Sequence, residues 1–242
     1  MTNLNVWKAL LATVIYLVVL ELLGFTVLLS IYVPISGGLD MVFLTIHSLT
    51  FLYKFIFLLL VFFLLRKYIF SEVQLKDEFK NILIPGVAFA LLLGVCIVFS
   101  QPLIKEAFSL IPGYPAYDGP SYGTEIFHFW RIPSLLAAIL IGPITEELFF
   151  RGFLLRGLLH KYRPVWAILI SSLLFAALHF NWYNPNVINL SVLVITFLGG
   201  LMAGWLYIKY SRVIYPILFH ICWNFMANFA EFVEVPYFTH IF

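Results

Sequence analysis

Charge is what this chain has least of. Of its 242 residues only 11% are Asp, Glu, Lys or Arg, against about 25% in an ordinary soluble domain. Meanwhile 63% are hydrophobic and the mean hydropathy is +1.01. That scarcity excludes a soluble globular fold, because so little polar surface cannot cover so much apolar surface. A formal net charge of +2 by itself says nothing about nucleic acid, and no nucleic-acid partner is expected. Cysteine is nearly missing as well. Cys96 and Cys222 both sit in apolar runs and offer neither a disulfide framework nor a thiolate metal site. No HExxH helix occurs, so the zinc-peptidase signature carried on a single helix is also absent.

What the chain does have is long apolar runs, and these predict an all-α, polytopic membrane protein. A span of about 20 residues crosses about 30 Å of hydrocarbon. About seven can be drawn, at roughly 6–31, 44–66, 82–104, 132–155, 165–181, 187–208 and 212–231. They group into an N-terminal part of about three spans, 1–110, and a core of about four, 130–231. The first run is too long for a signal-peptide core and lacks a small-x-small cleavage site, so it is read as a retained span. Basic residues gather in alternate loops: Arg66, Lys67, Lys76 and Lys80, then Arg156, Lys161 and Arg163, then Lys209 and Arg212. By the positive-inside rule those loops and the N-terminus are cytoplasmic and the C-terminus is outside. The expected location is the inner membrane of a prokaryote. The outer loop "PGYPAYDGPSYG" reads as a linker, and "SEVQLKDEFK" as a connector or short interfacial helix. Gly200 and Gly204 give the small-x-x-x-small spacing that lets a neighbouring helix approach closely.

A charged side chain at mid-bilayer costs about 2.5–3.5 kcal/mol on insertion scales, so each needs a partner or a task. Glu21 and Lys54 lie at matching depths in spans one and two and are read as a structural ion pair. The stretch "ITEELFFRG", 144–152, differs. Glu147 and Arg151 are i, i+4 and share a helix face, so Arg151 can neutralise and orient Glu147. Glu146 is turned about 100° away, without that partner, and an unpaired carboxylate in low dielectric suits a group that takes and returns protons.

Two further pairs follow: Phe175 and His179 in "FAALH", and His220 and Asn224 in "HICWN". Depth counting brings them level with the carboxylates. Glu147 lies 16 residues before Arg163 and His179 lies 16 after it, while His220 and Asn224 lie 8 and 12 past Arg212, near mid-bilayer at about 1.5 Å per residue. Pro143 and Pro216, just before the motifs, predict freed carbonyls and kinks beside an intramembrane cavity.

No Ser or Cys nucleophile accompanies this set, so it suits activation of water. Glu146 would deprotonate it, His220 and Asn224 would stabilise an oxyanion, and His179 would orient the water or protonate the leaving amine. Phe175 and Trp223 are assigned to substrate binding. A cofactor-free site is favoured; the alternative is zinc or another divalent metal held by His179, His220 and Glu146.

Glu-Glu-x-x-x-Arg, Phe-x-x-x-His and His-x-x-x-Asn, in that order on successive membrane helices, resemble the three motifs of the CAAX protease and bacteriocin-processing (CPBP, or Abi) family. Here they are Glu146, Glu147 and Arg151, then Phe175 and His179, then His220 and Asn224, within about 130–230. The resemblance implies an intramembrane peptidase whose site contains the first Glu, both His and the Asn. It implies a membrane-anchored or lipidated peptide substrate in the bilayer. The family is named both glutamic and metallo-, so the resemblance leaves the metal open. The competing reading is a non-catalytic bacteriocin-immunity or peptide- or ion-binding protein that uses the same polar cavity.

Overall fold

The computed structural model describes residues 11–15, 39–69, 79–111, 132–180 and 187–232. Glu21 and the Pro/Gly/Tyr-rich stretch 112–123 lie outside them, as does most of the 71–80 connector. Every described element is helical. In chain order these are α1 (Leu39–Ile69), α2 (Phe79–Ser109), α3 (Ile132–Leu159), α4 (Pro164–His179), α5 (Val187–Tyr210) and α6 (Ile214–Phe232), preceded by a short helical piece at 11–15. Two of them, Ile132–Leu159 and Leu190–Tyr210, are long and apolar enough by themselves to cross a membrane, and shorter apolar helical stretches lie at Ser48–Phe63, Val87–Cys96 and Pro164–His179.

The outward faces are apolar. On α1 the exposed stripe is Leu52, Ile56, Leu59 and Phe63, and on α4 it includes Val165, Trp166 and Leu173. These positions recur at helical spacing on the side away from the core, where a soluble helix would carry charge. Lipid is the solvent that matches such a surface.

Small residues and tight turns set the register. Gly200 and Gly204 of α5 face Ser172 and Ile168 of α4, and a methyl group added at either would meet those residues at 3.0–3.2 Å and 3.1 Å. The antiparallel pair is therefore as close as the Gly-x-x-x-Gly spacing predicts. Arg163 is extended and precedes Pro164 at the start of α4, as the steric restriction before proline requires. Ser211, at φ 53°, turns α5 into α6.

Two apolar clusters hold the bundle together. One gathers Phe57 and Val61 of α1 with Phe149, Phe153 and Leu154 of α3 and Phe175 of α4. The other gathers Ala90 of α2 with Leu206 of α5 and Phe219 and Trp223 of α6. Helix α3 contacts α1 on one side and α6 on another, while α2 packs on α5 and α6.

Helix α3 is not uniform. It switches to π geometry at Ala137–Ile141 and again at Phe150–Leu155, flanking the segment Gly142–Phe149 that carries both glutamates. The first switch has a chemical cause. Gly142 N–H bonds Ala137 O in the wide register, and the next donor in that register would come from residue 143, a proline with no N–H. The carbonyl of Ala138 is thereby released, and Asn224 Nδ2 of α6 donates to it at 2.8 Å. The freed carbonyl expected from Pro143 is present. Pro216 does not act in the same way: it lies in the first turn of α6, where no intrahelical donor is needed.

Candidate active site

Glu147 is the hub of the buried side. Its Oε1 accepts from Arg151 Nη1 at 2.8 Å and from His220 Nδ1 at 3.0 Å, and the two acid and guanidinium side chains are 1% and 0% exposed. Arg151 also donates from Nη2 to Gly200 O at 3.0 Å and lies 4.6 Å from the Phe175 ring centroid. One guanidinium thus links α3, α4 and α5 by an ion pair, a backbone bond and a cation–π contact. The i, i+4 pairing was legible in the sequence; the bond to Gly200, the use of Glu147 by His220 and the ring contact were not, because all cross between helices.

Glu146 faces elsewhere, as its 100° offset predicts. Its Oε2 is buried and makes no hydrogen bond among the described residues. His179 Nε2 stands 3.8 Å from it and His220 Nε2 stands 3.9 Å. The tautomers follow from what lies behind each ring. His179 Nδ1 is 3.0 Å from Phe175 O, and a carbonyl can only accept, so Nδ1 carries the proton. His220 Nδ1 likewise donates to the Glu147 carboxylate. In its neutral form each ring therefore turns a bare Nε2 lone pair toward the same carboxylate oxygen. The separations are too long for direct hydrogen bonds and suit one oxygen held among the three atoms.

The donor types also suit a metal, and each imidazole has the acceptor behind it that a metal-ligating histidine needs. The spacing suits one less. Bonds of about 2.0–2.1 Å in tetrahedral geometry place donors about 3.3 Å apart, closer than these. Among the described residues no group of three or more His, Cys, Asp or Glu is placed to hold a metal ion.

Aromatic rings frame both imidazoles. Phe175 is 4.7 Å from His179 and 5.7 Å from His220 between centroids, and Trp223 is 5.6 Å from His220. Both rings are buried. Trp223 rests on Gly199, where an added methyl group would overlap its ring. Only a residue without Cβ allows that indole its place, a dependence the sequence did not reveal. Asn224 lies one turn beyond His220 and is anchored by Ala138 O, which leaves its second N–H available.

Two carboxylates, a guanidinium and two imidazoles between apolar helices define a helical membrane protein with a polar site inside its bundle. Residues 128–226 match the family model described as "Type II CAAX prenyl endopeptidase Rce1-like". This segment contains every motif residue from Glu146 to Asn224 and neither α1 nor α2. An "Uncharacterized 24.3 kDa protein" of Escherichia coli is 29% identical over 170 residues, 68% of this chain and 71% of that protein. "Uncharacterized protein YpbD" of Bacillus subtilis is 34% identical over 89 residues, 37% and 43%. "CAAX prenyl protease 2" of Caenorhabditis elegans is 34% identical over 109 residues, 40% and 41%. The chain thus covers less than half the length of the latter two. No solved structure matches.

Proposed function

We propose that the protein is an intramembrane endopeptidase that hydrolyses a peptide bond of a membrane-anchored, lipid-modified peptide with a water activated by Glu146. One observation carries this reading: two oriented Nε2 atoms, 3.8 and 3.9 Å away, face a buried Glu146 oxygen that makes no hydrogen bond among the described residues. Similarity to CAAX prenyl proteases supports the peptidase class and suggests the lipidated substrate.

Counting protons refines the roles. Three lone pairs converge, and a water supplies two protons, so the set is complete only with a third. Placed on His220, that proton makes an imidazolium backed by Glu147, and Nε2–H becomes a donor for an oxyanion. Glu146 takes a proton from the water as its oxygen attacks the peptide carbonyl. The tetrahedral oxygen is held by His220 and by the second N–H of Asn224. As the C–N bond breaks, the proton passes from Glu146 through His179 to the leaving nitrogen, giving a carboxylate and an amine. Phe175 and Trp223, assigned from sequence to the substrate, hold the imidazoles in this scheme and border the substrate only at their rims.

In the membrane, the reading is of about seven spans with the N-terminus cytoplasmic, the 130–231 core carrying the chemistry and 1–110 flanking it. The test compares membrane peptides by mass spectrometry from cells with wild-type protein and with Glu146→Gln. Peptides shortened only with wild type support the reading; identical peptide sets contradict it. Elemental analysis of active protein with a chelator titration addresses the cofactor. Stoichiometric zinc, with activity lost to chelator and restored by metal, would recast His179, His220 and Glu146 as ligands.

A further inference from the structure

Lys209 is the penultimate residue of α5 (Val187–Tyr210). A lysine so near a helix end ordinarily snorkels outward to water. This one runs the other way, back along its own helix. Its Nζ lies 4.6 Å from the ring centroid of Trp205, one turn earlier, 4.6 Å from that of Phe89 on α2 and 5.3 Å from that of Tyr210. Phe89 and Trp205 meet each other at 5.3 Å, so the ammonium rests on aromatic faces that span the seam between α2 and α5. Among the described residues the ion pairs are those of Glu146, Glu147, Arg151 and the two imidazoles, and Lys209 takes part in none of them. Rings orient a cation without neutralising it.

The surroundings decide what anion fits. Lys209 and Trp205 are exposed, and on α2 the residues Ile84 and Leu92, on either side of Phe89 in sequence, are both more than half exposed. Such a surface is matched by lipid, so the cation is presented to the bilayer and not to a water-filled space. A soluble acidic peptide or a free phosphate brings nothing to cover these apolar groups. A phospholipid does both: its phosphate meets the ammonium while its acyl chains lie along α2 and α5. A zwitterionic headgroup brings a cation of its own, which Lys209 repels and which leaves the charge uncompensated, whereas a headgroup of net negative charge removes the imbalance. Arg212, three residues on, adds a second cation in the adjoining turn.

We propose that Lys209 and the rings beneath it form a binding site for the headgroup phosphate of an anionic phospholipid at the seam between α2 and α5. Lys209 and Trp205 lie inside the matched segment 128–226 and Phe89 lies outside it, so the site is shared between the core and a flanking helix. It is separate from the carboxylates and imidazoles of the candidate active site and does not rest on the peptidase reading.

The test uses the full chain in detergent micelles, with phosphatidylglycerol and phosphatidylcholine of identical acyl chains as probes and native mass spectrometry of retained lipid as the readout. Wild-type protein should hold phosphatidylglycerol about fivefold more tightly, the equivalent of about 1 kcal/mol for one lysine at a lipid surface. Lys209→Gln should remove the preference and Lys209→Arg should keep it. Arg163→Gln takes an exposed cation from the turn before α4, at the same end of the bundle, and should leave the preference unchanged. Equal retention of the two lipids by wild type would overturn the site, as would a preference that survives Lys209→Gln. A preference lost equally in Arg163→Gln would also overturn it, by showing a diffuse positive field in place of a site. Displacement of bound phosphatidylglycerol by inorganic phosphate would overturn the lipid as occupant in favour of a free anion. Should Lys209→Gln not fold, Trp205→Leu decides: it keeps the charge and removes a ring beneath it, and an undiminished preference in that variant would count against the site.

Discussion

His220 and His179 present the same Nε2 atom to Glu146 from 3.9 and 3.8 Å, yet the protein holds them differently. His220 is 4% exposed and is backed by a carboxylate that Arg151 also grips. His179 is the last residue of α4, is 32% exposed, and is backed by its own helix's carbonyl at Phe175. The first is part of the bundle's cohesion; the second stands at its edge. A buried ionic hub can supply charge on demand because Glu147 stabilises an imidazolium, whereas a carbonyl fixes only the tautomer. The closed side therefore suits charge stabilisation and the open side suits proton transfer to a departing group.

The sharpest way to break this comparison is to remove what both sides share. Glu146→Gln keeps the shape and removes the base, and should lower kcat by at least about 10³-fold, within the span of general-base effects, with the melting temperature nearly unchanged. Next are the histidines themselves. His220→Gln and His179→Gln should each reduce cleavage by about 10²–10³-fold. Only His220→Gln should also destabilise, because Glu147 Oε1 loses a buried donor at a cost of about 1–3 kcal/mol. Thermal melts of the two variants side by side read this difference; equal loss of stability would erase the distinction between closed and open sides.

Glu147→Gln should cost more stability than activity can report, about 3–5 kcal/mol, since it strands the fully buried Arg151. Gly199→Ala probes the closed side more gently. The added methyl meets Trp223 and pushes it toward His220, for about 1–3 kcal/mol of overpacking and a fall in kcat with KM little changed. Trp223→Phe in the same chain removes the ring atoms in conflict and should restore part of the rate. Smallest is Ser171→Ala, which removes a 3.3 Å bond to Phe150 O in the second π segment, worth about 0.5–1.5 kcal/mol.

Much of this was legible in the sequence because it rests on period and depth. From Leu39 onward the described helices begin and end within about five residues of the apolar runs, while most of the first run, 6–31, lies outside the described residues. The i, i+4 pairing of Glu147 with Arg151, the carbonyl freed beside Pro143 and the close approach at Gly200 and Gly204 all follow from spacing along one helix. The remainder depends on which faces meet. No spacing rule reveals that Glu147 also serves His220, that Gly199 makes room for Trp223, or that Asn224 is anchored by a carbonyl freed in a π turn. Lys54 illustrates the limit best. Its depth suggested pairing with Glu21, which lies outside the described residues, and depth along one helix names no other partner. Pro216 breaks no intrahelical bond for a local reason, its place in the first turn of α6.

The central claim is that Glu146 activates a water between two imidazoles. Purified wild-type protein and Glu146→Gln, each incubated with a lipidated peptide in ¹⁸O-water, test it directly by mass spectrometry of the new C-terminus. The account predicts one ¹⁸O atom in the carboxylate formed by wild type and no product from Glu146→Gln; cleavage by Glu146→Gln at the wild-type rate would contradict it.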